Sequence, residues 1–274
     1  MPRSLCIAVR ELLIFFLTRL SCSKVVWGYH MRSAAGTTTA AVGRKLDLLD
    51  QVDYRLAETP EEKEEIYNLR YRAYLREGAI RPSADQRVTD QYDDAPNAWT
   101  FGVYYHGELY SSIRVSVLTS EWRMSPSVEL FGDVLHPELD KGLVFIDSTR
   151  FVADPEKARN FPELPYATVR LGGIAGVHFN ADYGLAIVRP EHQAFYRRVF
   201  LQETWCEPRL YPGLVKPVGL MAAHYPTVRE KVLARYPYLR SSAFERRMLF
   251  ERSGERHSSP GVTVSPFERA SIVP

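Results

Sequence analysis

The sequence predicts an α/β (α+β) domain in which helices cover both faces of one mixed central sheet. Two β-rich runs, residues 99–105 and 108–117, flank His106-Gly107, a pair typical of a two-residue hairpin turn between antiparallel strands. Further along, apolar runs of strand length alternate with helical stretches, which indicates βα units. Of the 274 residues 45% are hydrophobic and 25% charged, enough for a full core.

The first predicted helix has the clearest start signal. Thr59 is a good N-cap, Pro60 suits the first helical position, and Glu62 stands where a capping box needs an acid. Apolar spacing continues to about Leu75, and a short strand at 54–57 precedes the helix. Gly, Pro and Asp residues after it predict a long acidic loop.

The remaining elements follow from the same signals of apolar periodicity and turn residues. Strands are expected at 143–152, 185–188 and 216–221, and helices at 165–179, 190–200 and 227–236. The predicted order is β, α, β, β, β, α, β, α, β, α, which places helices on both sides of the sheet.

Three segments are expected. Residues 1–47 form a basic extension that we expect to be poorly ordered, 48–252 form the domain, and 253–274 form a disordered tail rich in Ser, Gly and Pro. The longest apolar run of the extension, 12–18, is far shorter than the ~18–20 residues of a transmembrane helix. No transmembrane segment is therefore expected, and at most weak membrane association.

Composition excludes several classes of protein. Cys6, Cys22 and Cys206 form no CxxC pair, which excludes a disulfide scaffold and a cysteine zinc site and suits the reducing cytoplasm. The seven histidines show no metal-ligand spacing, so no metal is expected. Residues 46–251 hold 25 Lys and Arg against 30 Asp and Glu, which argues against nucleic-acid binding.

Four groups of polar residues stand where the pattern calls for packing. They are Arg70-x-x-x-Tyr74 on the first helix, Asp90-x-x-Asp93 in the acidic loop, Arg114 in a strand, and Asp147-x-x-Arg150-Phe151 in the strand 143–152. Charges in the middle of a central strand are either paired or directed into a cleft. Simple alternation would direct Asp147 and Arg150 to opposite faces, whereas a β-bulge between them would bring both to one face. The alternative is a structural ion pair.

In this order and spacing, the four groups resemble the signature of acyl-homoserine-lactone synthases. Two later segments are more similar to a sister group, the long-chain N-acyl amino acid synthases of the GNAT acyltransferase superfamily. These segments are Glu191-His192-x-x-Phe195-Tyr196-Arg197-Arg198 and Tyr211-Pro212-Gly213. The lactone synthases usually have Glu where this chain has Asp147, which favours simple N-acylation over lactone formation.

The resemblance implies a GNAT-like fold whose sheet opens around an acyl thioester, and an acceptor that is the α-amine of an amino acid. It implies catalytic roles for Asp147, Arg150 and Tyr196, and substrate-binding roles for Arg70, Tyr74, Asp90, Asp93 and Arg114. Asp147 is the candidate general base, directly or through a water. Arg114 or Arg150 would hold the acceptor carboxylate, and the other would pair with Asp90 or Asp93. Tyr196 is the candidate acid for the departing thiolate, and core packing with neighbouring aromatic rings is the alternative.

The acyl donor is expected on phosphopantetheine, with no permanently bound cofactor. Arg170-x-x-Gly173-x-Ala175 matches a short GNAT pyrophosphate motif, but it lies inside a predicted helix, where backbone N–H groups are already bonded. Close helix packing through Gly172, Gly173 and Gly176 is the alternative. Acyl carrier protein is therefore favoured over CoA. Five basic residues are candidates for docking the carrier's acidic face, with an ordinary solvated surface as the alternative: Arg189, Arg197, Arg198, Arg209 and Lys216.

The leading hypothesis is transfer of a fatty acyl group from acyl carrier protein to an amino acid. The rivals are an acyl-homoserine-lactone synthase, an acetyl-CoA N-acetyltransferase, and a non-catalytic acyl-binding module on the same fold.

Overall fold

Seven strands form one sheet in the computed structural model, which describes residues 51–252. The strands are β1 (Val52–Leu56), β2 (Ala98–Tyr105), β3 (Glu108–Leu118), β4 (Phe145–Ala153), β5 (Tyr183–Val188), β6 (Glu203–Arg209) and β7 (Val218–His224). Their order across the sheet is β1-β2-β3-β4-β5-β7-β6. Only the β4–β5 pair is parallel, so the sheet is mixed as predicted.

Within residues 51–252, six α-helices cover the two faces of the sheet. They are α1 (Pro60–Arg76), α2 (Pro126–Asp140), α3 (Leu164–His178), α4 (Gln193–Phe200), α5 (Tyr225–Arg235) and α6 (Ala243–Phe250). Helices α1 and α2 pack on one face, in apolar clusters with alternate residues of β2 to β5 and β7. The other four pack on the opposite face. The predicted extension and tail, with Cys6 and Cys22, lie outside the described residues.

The capping-box and turn residues predicted the first helix and the β2–β3 hairpin correctly. The Thr59 hydroxyl accepts from the Glu62 amide at 3.2 Å, and the Glu62 carboxylate accepts from the Thr59 amide at 3.1 Å, which completes the capping box. His106 and Gly107 both have positive φ, 50° and 81°, as a primed hairpin turn requires.

Three elements were not predicted. Helix α2 contains Pro137 and a non-helical Phe131, so its apolar spacing is broken. Strand β6 is a polar edge strand with two irregularities in its register, and α6 is only eight residues long. The predicted helix at 190–200 divides into a 3-10 turn, Pro190–His192, followed by α4. The predicted order of elements was therefore wrong, because it lacked α2, β6 and α6.

The parallel pair opens partway along its length. Strands β4 and β5 pair from Phe145↔Tyr183 only as far as Ser148↔Ala186. Beyond that point β4 continues against β3, and β5 continues against β7. The two strands therefore separate toward their carboxyl ends, and we call this opening the fork.

A β-bulge lies in β4 just beyond the fork. Thr149 pairs with Arg114, but the next paired residue is Val152, opposite Ser112, so two residues of β4 face one of β3. Arg150, inside this bulge, has a left-handed φ of 53°. The bulge therefore lies at Arg150 and Phe151, just beyond the interval between Asp147 and Arg150 where the sequence analysis considered one.

Candidate active site

A row of polar side chains lies on the α1/α2 face of the sheet beside the fork. Ser116 pairs with Asp147 and Arg114 pairs with Thr149, so these four side chains share one face. All four residues are buried. Buried polar groups without a structural explanation mark a candidate site.

Asp147 is the most unusual of them. Asp147 is 0% exposed to solvent. The Ser127 hydroxyl donates to Oδ1 at 2.8 Å, and Oδ2 has no hydrogen-bond partner among the described residues. Burial raises the pKa of Asp147, although the hydroxyls of Ser127 and Ser125 and the charge of Arg114 oppose the rise. A carboxylate with a free oxygen and a raised pKa is suited to accept a proton.

Five charged residues form an arginine–aspartate cluster on the same face. Arg70 donates to Asp93 at 2.8 Å, and Arg114 donates to Asp93 at 2.9 Å and to Asp90 at 2.5 Å. Arg150 donates to Asp90 through Nε at 3.1 Å and also through Nη2. Three guanidiniums against two carboxylates leave the cluster one positive charge in excess.

The arginines keep both aspartates ionised. Burial acts to raise the pKa of Asp90, but hydrogen bonds from Arg114 and the charge of Arg150 outweigh it and hold that pKa well below the usual range. For Asp93 the guanidiniums of Arg70 and Arg114 likewise outweigh burial and lower the pKa.

The structure changes the expected division of roles between the two arginines. Arg114 and Arg150 both pair with Asp90, so both arginines, and not one of them alone, contact the acidic loop. A structural ion pair between Asp147 and Arg150 is not formed, since Arg150 binds Asp90 and Asp147 binds Ser127. The bulge nevertheless brings Arg150 to the face of Arg114, because one carboxylate meets both.

Two tyrosines stand at the fork. The Tyr74 ring lies 5.8 Å from the Arg150 guanidinium carbon. Tyr196 is buried, packs against Phe195 at 5.3 Å between ring centroids, and lies near Tyr74. Burial, with a smaller effect of Tyr74, raises the pKa of Tyr196, so its phenol remains protonated. This placement of Tyr196 fits both of its expected roles, the acid for the departing thiolate and a packing residue of the apolar core.

A family model for the N-acyl amino acid synthase FeeM matches residues 65–224, more than half of the 274-residue chain. The chain belongs to this family. It is therefore an acyltransferase of the GNAT-like type that transfers an acyl group to an amine, and the rival of a non-catalytic module is excluded. A search of curated proteins gave no significant match.

The solved structure of FeeM shows the same fold, and two further solved structures are similar to the chain to a lesser degree. FeeM from uncultured soil microbes is 17% identical with a TM-score of 0.56, and the match covers 67% of this chain and 96% of FeeM. An acyl-CoA N-acyltransferase from Pseudomonas aeruginosa is 17% identical over 62% and 97% of the two chains, with a TM-score of 0.42. The acyl-homoserine-lactone synthase LasI is 13% identical over 66% and 93%, with a TM-score of 0.47.

The pyrophosphate-like motif of this FeeM-family chain serves packing instead. Arg170 lies inside α3, where its guanidinium donates to both carboxylate oxygens of Glu245 on α6 and to two backbone carbonyls. A Cβ on Gly172 would meet the Ser148 hydroxyl at 2.5 Å, and one on Gly176 would meet the Tyr225 ring at 2.8 Å. Close packing is confirmed for these two glycines. It is wrong for Gly173, where a Cβ would meet nothing within 4 Å.

The five basic docking candidates differ in their partners. Arg189 forms an ion pair with Glu77, whose carbonyl accepts from Lys216 at 3.2 Å, and Arg209 binds Asp133 at 2.7 Å. Arg197 and Arg198 on α4 have no carboxylate partner within residues 51–252. These two are the most available for an acidic partner.

Sequence reasoning missed the serines of α2. Ser125 caps the helix by accepting from the Val128 amide at 3.2 Å, and Ser127 in the first turn reaches Asp147. The Ser-Pro pair at 125–126 was the available signal for this helix start. Within the described part of the chain, no group of His, Cys, Asp and Glu residues is arranged to hold a metal, and no helix is long and apolar enough to cross a membrane.

Proposed function

We propose that this enzyme transfers a fatty acyl group from the phosphopantetheine thioester of acyl carrier protein to the α-amine of an amino acid. The product is a long-chain N-acyl amino acid. The observation that carries the proposal is Asp147, a buried carboxyl with one free oxygen and a raised pKa beside the fork. The low cysteine count suits the cytoplasm, where we place the reaction.

Asp147 takes the first proton. The acceptor arrives mostly as ammonium and must lose a proton, to Asp147 directly or through a water, before its nitrogen attacks the thioester carbonyl. The resulting oxyanion is stabilised by a backbone N–H at the bulge of β4. The carbon–sulfur bond then breaks, and the thiolate takes a proton from the Tyr196 phenol.

Arg150 is the residue best placed to bind the acceptor carboxylate. The side chains of Arg70 and Arg114 are 0% exposed, whereas that of Arg150 is 11% exposed. One carboxylate would neutralise the excess positive charge of the arginine–aspartate cluster. This supports an amino acid, rather than a simple amine, as the acceptor.

The N-terminus of α3 supports a carrier-protein donor over free CoA. The Leu164, Tyr166 and Ala167 amides donate to backbone carbonyls at 2.9–3.2 Å, and Pro165 has no N–H. These groups are therefore not available to cradle a diphosphate. Arg197 and Arg198, which follow Tyr196 in α4 and have no carboxylate partner among residues 51–252, offer positive charge for an acidic carrier.

Mass spectrometry of lipid extracts tests the proposal. Cells expressing the chain should contain N-acyl amino acids that are absent from cells expressing Asp147→Asn, and purified enzyme should use acyl carrier protein at least about tenfold better than acyl-CoA. A homoserine lactone product would assign the enzyme to signal synthesis. Absence of any new lipid, with folded protein present, would refute the proposal.

A further inference from the structure

The proposed reaction releases one proton to water in every turnover. An ammonium that becomes an amide nitrogen loses two protons. One of them replaces the proton that Tyr196 gives to the thiolate, and the other must leave Asp147 before this base can act again. Asp147 is fully buried, so it does not meet bulk water itself. Its proton must therefore leave through a neighbouring group that can both accept and donate a proton.

Three serine hydroxyls and one guanidinium lie around the Asp147 carboxyl. Burial raises the pKa of this carboxyl, and the hydroxyls of Ser127 and Ser125 oppose the rise, followed by the charge of Arg114. Ser116 lies directly opposite on β3. An arginine guanidinium keeps its protons in proteins and cannot pass one on. The exit route from Asp147 therefore begins at a serine hydroxyl.

Ser125 is the one of these three serines that borders solvent. A groove of about 670 Å³, open to solvent, lies between the acidic loop and α2. Ser116 and Ser127 are 0% exposed and do not line this groove, whereas Ser125 does. Ser125 therefore joins the buried carboxyl to water. We call this groove the α2 groove, and its lining includes Tyr92, Ser125, Val128, Glu129, Gly132 and His136.

The hydrogen-bonding capacity of Ser125 permits the transfer. Its oxygen accepts from the Val128 amide at 3.2 Å, which uses one of the two lone pairs of a hydroxyl. The second lone pair can accept the proton of Asp147 while the hydroxyl proton passes to a water of the α2 groove. Oδ2 of Asp147 has no hydrogen-bond partner among residues 51–252 that would hold the proton back. The transfer leaves a carboxylate, an intact hydroxyl and a protonated water.

We propose that Ser125 is the relay through which Asp147 returns its proton to water in the α2 groove. The inference rests on the proposed function, since it takes Asp147 as the base. Ser125 then has two roles, because it also caps α2. A block of the relay leaves the first acyl transfer intact, since Asp147 begins ionised, but slows every later turnover.

Ser125→Val and Ser125→Thr test the relay by rapid-mixing kinetics with an acyl carrier protein donor. The two side chains have the same shape, but only Thr keeps a hydroxyl. In Ser125→Val we expect one N-acyl product per enzyme at the wild-type rate, followed by turnover slowed at least about tenfold. The slow phase should show a larger solvent deuterium isotope effect than wild type, because a proton transfer limits it. Ser125→Thr should show neither change.

Two further variants separate the relay from the helix cap. Ser125→Asn keeps a side chain that caps helices well but has no hydroxyl to pass a proton, so it should behave like Ser125→Val. Ser242→Val removes the same type of cap from α6, where the Ser242 hydroxyl accepts from the Glu245 amide at 3.0 Å. This control should change neither phase, and urea unfolding shows whether each variant is folded.

The outcomes distinguish the relay from the proposed function. If wild type makes N-acyl amino acids and both Ser125→Val and Ser125→Asn turn over as fast as wild type, the relay is overturned and the function stands. Equal slowing of the first and later turnovers, or slowing in Ser125→Val that is missing in Ser125→Asn, also overturns the relay. If folded Asp147→Asn stays active, or wild type forms no N-acyl product, the proposed base or function fails, and the relay fails with it.

Discussion

Replacing Asp147 by Asn removes the base while keeping the shape of the side chain. A general base contributes ~10²–10⁴-fold, so kcat/KM should fall by that factor, about 3–5 kcal/mol in the activation free energy. Steady-state kinetics with an acyl carrier protein donor measures it. The acceptor KM should change little, because we assign the acceptor carboxylate to Arg150.

The same substitution should not lower stability. Asp147 is fully buried, and the hydrogen bond that it accepts from Ser127 at 2.8 Å can also be accepted by the amide oxygen of Asn. The pKa of Asp147 in the folded state is above the ordinary 3.8, so ionisation opposes folding once the pH exceeds that value. Asn does not ionise, which offsets the cost of placing its amide N–H₂ at the buried, unpartnered position of Oδ2, so the unfolding midpoint in urea at neutral pH should be close to that of wild type.

The pH dependence of the rate tests the role of Asp147 as the general base. The rate requires ionised Asp147, so it should fall on the acid side at a pH above that of an ordinary Asp. Ser127→Ala removes a hydrogen bond that favours the ionised form, so the acid limb should move to higher pH. Activity within about threefold of wild type in folded Asp147→Asn would show that another group is the base.

Three further predictions concern the surrounding structure. Asp90→Asn removes the carboxylate that pairs with the buried Arg114 and the partly exposed Arg150, and should cost about 3 kcal/mol in urea unfolding; a loss below about 1 kcal/mol would contradict the cluster's structural role. The pKa of Asp93 is lowered, so its stabilisation is present above pH 3.8 and is lost as the pH falls toward its lowered pKa; an acid titration of unfolding in wild type and Asp93→Asn measures it. Tyr196→Phe removes only the hydroxyl and should lower kcat at least about tenfold with unchanged stability, whereas unchanged kcat would leave Tyr196 a core residue.

Local chemistry explains what the sequence could predict. The Thr59 capping box and the His106-Gly107 turn involve residues that are close together in the chain, so the interacting residues can be recognised from the sequence. Polar residues within an apolar strand likewise identified Asp147 and Arg150, because burial without a partner is costly wherever the strand lies.

Partners distant in sequence could not be assigned in the same way. Ser127 reaches Asp147 only because α2 begins beside β4, and the broken apolar pattern of α2 concealed the helix. The open side of Gly173 depends on the spacing between α3 and α5, which no periodicity within either helix reveals. Tertiary packing, not local propensity, decides such contacts.

The bulge and the acidic loop stabilise each other. A non-glycine residue in the left-handed region costs roughly 1–2 kcal/mol, and Arg150 adopts it at φ 53°. In that conformation the Arg150 guanidinium donates two charge-assisted hydrogen bonds to Asp90 and shares this carboxylate with Arg114, which offsets the cost. The loop that carries Asp90 thus holds open the turn of β4 from which we derive the oxyanion donor, so a change at Asp90 should reach catalysis through the backbone without touching the substrate.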